Sequence, residues 1–107
     1  MDAQIKEKWV EALRSGKYEQ GQSALKRDGR FCCLGVLCDI IDPSGWSEPE
    51  KTGYTRYSFE GNSDECWIPD TLEEKLGLVG KTGTLMGMND HDKKSFAEIA
   101  DYIEKNL

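Results

Sequence analysis

The sequence holds a single histidine, His91, and no HExxH pattern, which excludes a histidine-built zinc centre. It also lacks a long apolar run. The longest, Phe31 to Cys38, is eight residues and is followed by Asp39. A membrane-spanning helix needs roughly 18 or more apolar residues in succession, so none is expected. The opening segment MDAQIKEKWV has no apolar stretch of the secretory type, which sets the expectation of a cytoplasmic protein. Basic charge is in the minority as well: 14 Lys and Arg stand against 20 Asp and Glu, a formal net charge of −6. That balance disfavours a non-specific grip on a nucleic-acid backbone, and no long nucleic acid is expected as a partner.

Motifs for phosphate and metal chemistry are absent on spacing. The segment Gly77 to Gly83 ends in Gly80-Lys81-Thr82, but its first glycine stands three residues before Gly80 where a phosphate-binding loop requires five. Asp90 and Asp92 have the spacing of a calcium loop. No glycine stands at the sixth loop position, however, and Lys93 and Lys94 occupy ligand positions. The four cysteines, Cys32, Cys33, Cys38 and Cys66, fall in a C-C-x4-C pattern with a distant fourth member. Structural zinc favours C-x(2–4)-C pairs. In a reducing compartment these are free thiols, and Cys33 and Cys38, set among Leu34, Val36, Leu37, Ile40 and Ile41, read as small core hydrophobes. No metal or cofactor is expected.

What is present describes a small α+β domain spanning 1–107: an N-terminal helix, a β-hairpin, a short buried helix, short strands and a C-terminal helix. Ile5, Trp9 and Leu13 recur every four residues and predict a helix over 5–14, ended by Ser15-Gly16. Asp28-Gly29 is a strong hairpin turn between 24–27 and 30–33. Leu34 to Ile41 reads as a short buried helix, with Gly35 permitting close packing. Tyr54, Arg56, Tyr57 and Phe59 are rich in strand formers, 60–65 is a polar turn, and 66–68 is a short strand. Asp70 with Glu73 predicts a capped helix over 71–76, stopped by Gly77. An edge strand is expected at 84–88 and an exposed loop at 89–94. Ser95 with Glu98 then starts a last helix over 96–106.

The charge is unevenly placed. Residues 1–30 carry a net +2 and residues 31–107 a net −8. Lys26, Arg27 and Arg30 around the hairpin form a basic group able to receive a small anion. Trp46, Tyr54 and Tyr57 offer rings for stacking, and Arg56 a further phosphate donor. These residues make the best binding case: Arg27, Arg30, Trp46, Tyr54, Arg56 and Tyr57. The competing reading places Tyr57 and Trp67 in the core and Trp9 in core or subunit packing. The best arrangement for catalysis is a thiol pair of Cys66 with His91, oriented by Asp90 or Asp92.

The stretch from Lys8 to Gly21 (KWVEALRSGKYEQG), Phe31 to Asp39 (FCCLGVLCD), Leu85 to Asp90 (LMGMND) and Ser95 to Ala100 (SFAEIA) resembles small accessory proteins encoded by tailed phages and prophages. The resemblance implies a counter-defence protein or a regulator of host machinery, acting in the host cytoplasm. By analogy with unrelated counter-defence proteins, it implies a sponge that sequesters a cyclic nucleotide immune signal, often at an interface of a homo-oligomer. An alternative partner is a host protein met through the acidic surface.

Overall fold

A computed structural model describes residues 1–107. Helix α1 spans Ala3–Arg14 and begins two residues before the apolar spacing predicts, because the Asp2 carboxylate accepts from the backbone N–H of Gln4 (2.8 Å) and Ile5 (3.1 Å). Gly16, at φ +76°, takes the left-handed conformation that ends it. Its inner face carries Trp9, Val10 and Leu13. Trp9 is fully buried within its own chain, and its indole donates to the Cys33 carbonyl at 2.9 Å. The Trp9 face is therefore spent internally and offers nothing to a second subunit.

Strands β1 (Lys26–Arg27) and β2 (Arg30–Phe31) form the expected hairpin, pairing Lys26 with Phe31 and Arg27 with Arg30. Asp28 and Gly29 both have positive φ (52° and 79°), as the tight hairpin turn requires. The ladder is shorter than predicted. Leu25 gives its N–H to the Glu65 carbonyl (2.8 Å), and Cys32 leaves the strand to cap the next helix.

That helix, α2 (Cys33–Ile41), is capped by the Cys32 sulfur, which accepts from the Gly35 N–H at 3.4 Å. Every residue from Cys33 to Cys38 is buried. A helix that is apolar all round belongs inside, and α2 runs through the centre of the molecule. Gly35 sits against the hairpin: a Cβ there would lie 1.9 Å from the Leu25 carbonyl oxygen. Asp42 then caps a 3-10 turn at Pro43–Gly45 by accepting from the Ser44 N–H at 3.0 Å.

Several expectations in the second half are corrected. The polar segment predicted as a turn supplies a strand: β3 (Tyr57–Phe59) pairs with β4 (Asn62–Asp64) around Glu60 and Gly61, both at positive φ. Residues 66–68 are not a strand, because Asp64 Oδ1 accepts from the N–H groups of Cys66 (2.9 Å) and Trp67 (3.2 Å) and turns the chain. Trp67 is left 48% exposed rather than in the core. Helix α3 (Asp70–Lys75) has Pro69 at its cap position with no side-chain cap. Thr71 anchors it instead, donating to the Phe59 carbonyl at 2.6 Å, while Glu73 accepts from the Thr82 hydroxyl. The predicted edge strand is helical, α4 (Thr82–Met86), and runs into a π turn over Gly87–His91. Leu85, Met86 and Asn89 are all buried, an arrangement that one helical face allows and an alternating strand does not. Asn89, expected in an exposed loop, is fully buried.

Helix α5 (Phe96–Asn106) starts with the predicted capping box: Ser95 Oγ accepts from the Glu98 N–H (3.2 Å) and Glu98 Oε1 from the Ser95 N–H (3.1 Å). It packs on α1, and Arg14 bridges the pair to Asp101 (2.6 Å) and Glu104 (3.1 Å). The core is one continuous cluster drawn from α1 through α5. The architecture is α+β, helices around two small antiparallel hairpins. No helix is long and apolar enough to cross a membrane.

Candidate functional site

The hairpin turn fixes the most suggestive geometry. Arg27 and Arg30 are partners in the β1–β2 register, so two guanidinium-bearing side chains stand opposite each other. Like charges at such a pair are destabilising. Both side chains are mostly free of the protein, 50% and 60% exposed. They line a cleft of about 370 Å³ together with Gly21, Gln22, Ala24 and Asp28. Arg27 lies 4.6 Å from the Tyr54 ring centroid, a cation–π contact, and 3.9 Å from Asp28. Arg30 reaches Glu19 at 3.2 Å. Exposed pairs of this kind contribute little, so an incoming anion competes against weak partners.

The backbone on the Gly21–Ala24 side of the cleft is held from the far end of the chain. Ser23 adopts φ 67°, a left-handed conformation rare for a side-chain-bearing residue, and its N–H donates to Asp90 Oδ1 at 3.0 Å. Asn89 donates to the Gly21 carbonyl (2.9 Å) and to Asp90 (2.8 Å). Its oxygen accepts from the Cys33 N–H (3.2 Å) and from Gln20 (2.9 Å). Asn89 was missed in the sequence because Asn in a run such as NDHDKK has the composition of a solvated loop. The one available signal was its place four residues after Leu85.

The aromatic residues divide between two settings. Tyr54 stays with the cleft through Arg27. Trp46 and Tyr57 belong to a chain of edge-to-face rings, Tyr18–Phe31–Trp46–Tyr57, with centroids 5.0, 5.9 and 4.8 Å apart. Tyr57 is fully buried and donates to the Asp42 carbonyl at 3.0 Å; burial pushes its phenol pKa up. The Trp46 indole donates to Asp39 Oδ1 at 3.0 Å, and the Tyr18 hydroxyl to Asp39 Oδ2 at 2.5 Å. Lys26, placed with the basic group from sequence, stands over Phe31 (5.2 Å) and Trp46 (5.3 Å). Arg56 faces Ser63 (3.1 Å) and Glu65 (3.5 Å) and does not line the cleft. The structure thus brings Arg27 and Arg30 together at the cleft, with Tyr54 against Arg27 outside its lining, and takes Trp46, Tyr57 and Arg56 elsewhere.

A search of the curated proteins and of the solved structures gives no match. A family model described as "Domain of unknown function (DUF8296)" matches residues 1–78. The chain belongs to that family. The DUF8296 match takes in α1, the cleft-forming hairpin, α2, β3–β4 and α3, and stops short of the Asn89–Asp90 clamp.

The thiol arrangement is not assembled. His91, 91% exposed, has its Nδ1 3.1 Å from Asp92, and no hydrogen bond joins it to Cys66. Burial first, then Asp64 and Glu65, push the Cys66 thiol up, away from the thiolate a nucleophile needs. Cys32, Cys33 and Cys38 are buried free thiols; burial raises Cys32 to about 12 and the other two upward as well. No three His, Cys, Asp or Glu side chains are grouped to hold a metal ion.

Proposed function

We propose that the protein is a non-enzymatic binder of a small phosphate-bearing ligand held at the Arg27–Arg30 cleft. In the phage setting that the sequence resembles, the ligand is a cyclic nucleotide immune signal and the role is sequestration. The observation that carries this reading is the opposed arginine pair. Two like charges placed across a two-residue ladder cost stability, and breaches of local rules of this kind concentrate where a ligand repays them. A phosphate between the two guanidiniums removes the repulsion and accepts charge-assisted hydrogen bonds from both. The cleft, about 370 Å³, lies at the small end of the range of ligand pockets. It has room for one nucleotide unit, so a cyclic dinucleotide spans the clefts of two copies.

The test is isothermal titration of the full chain with a cyclic mononucleotide, a cyclic dinucleotide and inorganic phosphate, alongside R27A and R30A. A charge-assisted bond contributes about 1.5–3 kcal/mol, so each variant should bind on the order of 10- to 100-fold more weakly while remaining folded. Equal affinity in both variants refutes the site. Native mass spectrometry of the complex should release the nucleotide intact; a hydrolysed or transferred product refutes the non-enzymatic reading.

A further inference from the structure

A second surface carries the opposite charge. Trp67 is 48% exposed, whereas Trp9 is fully buried and Trp46 half-buried. The indole N–H groups of Trp9 and Trp46 are both bonded, to the Cys33 carbonyl and to Asp39; Trp67 has no such partner. Trp67 borders a cleft of about 350 Å³ between the β3–β4 hairpin and the start of α3. Buried Ile68 and Pro69 help line this cleft, as do Asn62 and the carboxylates of Asp64 and Asp70; no Lys or Arg lines it, and Arg56, which donates to Ser63 on its wall at 3.1 Å, is itself paired with Glu65 at 3.5 Å.

The cleft is built before any partner arrives. Asp64 Oδ1 fixes the backbone of Trp67 (3.2 Å), so the indole projects from a held position. Asn62 Oδ1 accepts from the Thr71 N–H (3.1 Å) and Thr71 donates to Phe59, which ties the hairpin wall to the helix wall. Little ordering is left to be lost on binding.

We propose that this cleft is a docking surface for a basic segment of a partner protein, with an arginine or lysine side chain lying on the Trp67 face and its charge answered by Asp70 and Asp64. The occupant follows from charge and ring chemistry. The indole face is the negative end of a quadrupole and attracts a cation. The two carboxylates repel phosphates, so this cleft does not serve the ligand of the arginine cleft, and no residue lines both. An exposed tryptophan in a polar-rimmed pocket is the residue type that dominates protein interfaces.

The experiment uses the full chain labelled with 15N, whose three tryptophans give three indole N–H resonances. The probe is a short arginine–glycine peptide with blocked ends, against the same peptide carrying glutamate for arginine. The Trp67 resonance should move on addition of the arginine peptide and those of Trp9 and Trp46 should stay. Affinity should fall on the order of tenfold in W67L and in D70N, less in W67F, and should weaken with salt. Two outcomes overturn the proposal: binding that W67L leaves unchanged, which marks diffuse attraction to an acidic surface, or equal binding of the glutamate peptide. A third is self-association of the unliganded protein in sedimentation, abolished by W67L, which assigns the cleft to a second copy.

Discussion

Replacing Gly35 by alanine separates two physical arguments of opposite sign. Gly35 lies in the helical interior of α2, where alanine is favoured by about 1 kcal/mol on propensity alone. The packing argues the reverse. An added Cβ would stand 1.9 Å from the Leu25 carbonyl oxygen and 2.8 Å from its carbon, where ordinary contact begins at 3.4 Å. The helix and the hairpin would have to separate by about 1.5 Å, the difference between contact at 3.4 Å and the 1.9 Å found. The obstacle is backbone, which no rotamer change removes. Leu25 and the flanking Leu34 and Val36 are fully buried, so the separation also opens core. Overpacking costs about 1–3 kcal/mol, and an obstacle made of backbone takes the upper end of that range, which leaves G35A destabilised by about 2 kcal/mol after the propensity gain. With a urea m-value of roughly 1–3 kcal/mol/M, the midpoint should fall by about 1–2 M in far-UV circular dichroism. The m-value should change little. A midpoint that is unchanged or higher refutes the close approach of α2 to the hairpin. Since Leu25 precedes Lys26 and Arg27, the same variant should also loosen the arginine cleft.

Asn89→Ala leaves the Cys33 N–H and the Gly21 carbonyl without their side-chain partner, at about 1–3 kcal/mol for each buried group, so thermal or urea unfolding should register a loss of about 3 kcal/mol. A loss under 1 kcal/mol would show that these groups find other partners. At alkaline pH the Tyr18 phenol is held protonated to about 12, by burial first and then by its hydrogen bond to Asp39, against about 10 in the unfolded chain. The folded state therefore keeps a proton that the unfolded state has lost, so the contribution of Tyr18 to stability is complete below pH ~10 and declines as the pH rises towards ~12. Tyr18→Phe should flatten part of the alkaline decline in urea midpoints; Tyr57 and the buried thiols of Cys32, Cys33 and Cys38, all raised by burial, act in the same direction, and an identical slope would refute the assignment. A thiol reagent at neutral pH should modify Cys66 alone, and slowly, in the native protein and all four cysteines in denaturant. Prompt native reaction of a second cysteine would mean that α2 opens readily.

The two proposed surfaces share one logic with opposite charge. At the hairpin, local sequence places two arginines in register, and the rest of the fold only braces the neighbouring backbone, through the bond from the Ser23 N–H to Asp90. At Trp67 the local sequence Asp64-Glu65-Cys66-Trp67 supplies the turn and the acid, and Asn62 and Thr71 brace the walls. Neither surface requires a catalytic group, which is why the proposed tests read binding and integrity of the ligand rather than turnover.

Interactions that close over a few residues could be read from the sequence: the Asp28-Gly29 turn, the Gly16 and Gly77 stops, the Ser95–Glu98 box, and the apolar run that makes α2 a buried helix. These depend on φ preference, capping and composition, which neighbours in sequence settle between themselves. The arginine pair was legible for the same reason, as two residues flanking one turn. The tertiary structure alone decided the rest. Residues 84–88 became helical because Leu85, Met86 and Asn89 meet the core together, and a polar asparagine went inside because Gly21, Gln20 and Cys33 were there to satisfy it. Trp46 packed edge-to-face on both Phe31 and Tyr57, while Trp67 was left outside by a local turn on the Asp64 side chain that residue composition does not signal. The placements of Asn89 and of the ring chain rest on contacts between residues brought together only by the fold, and a pattern of residue types carries no record of which distant partner will be present.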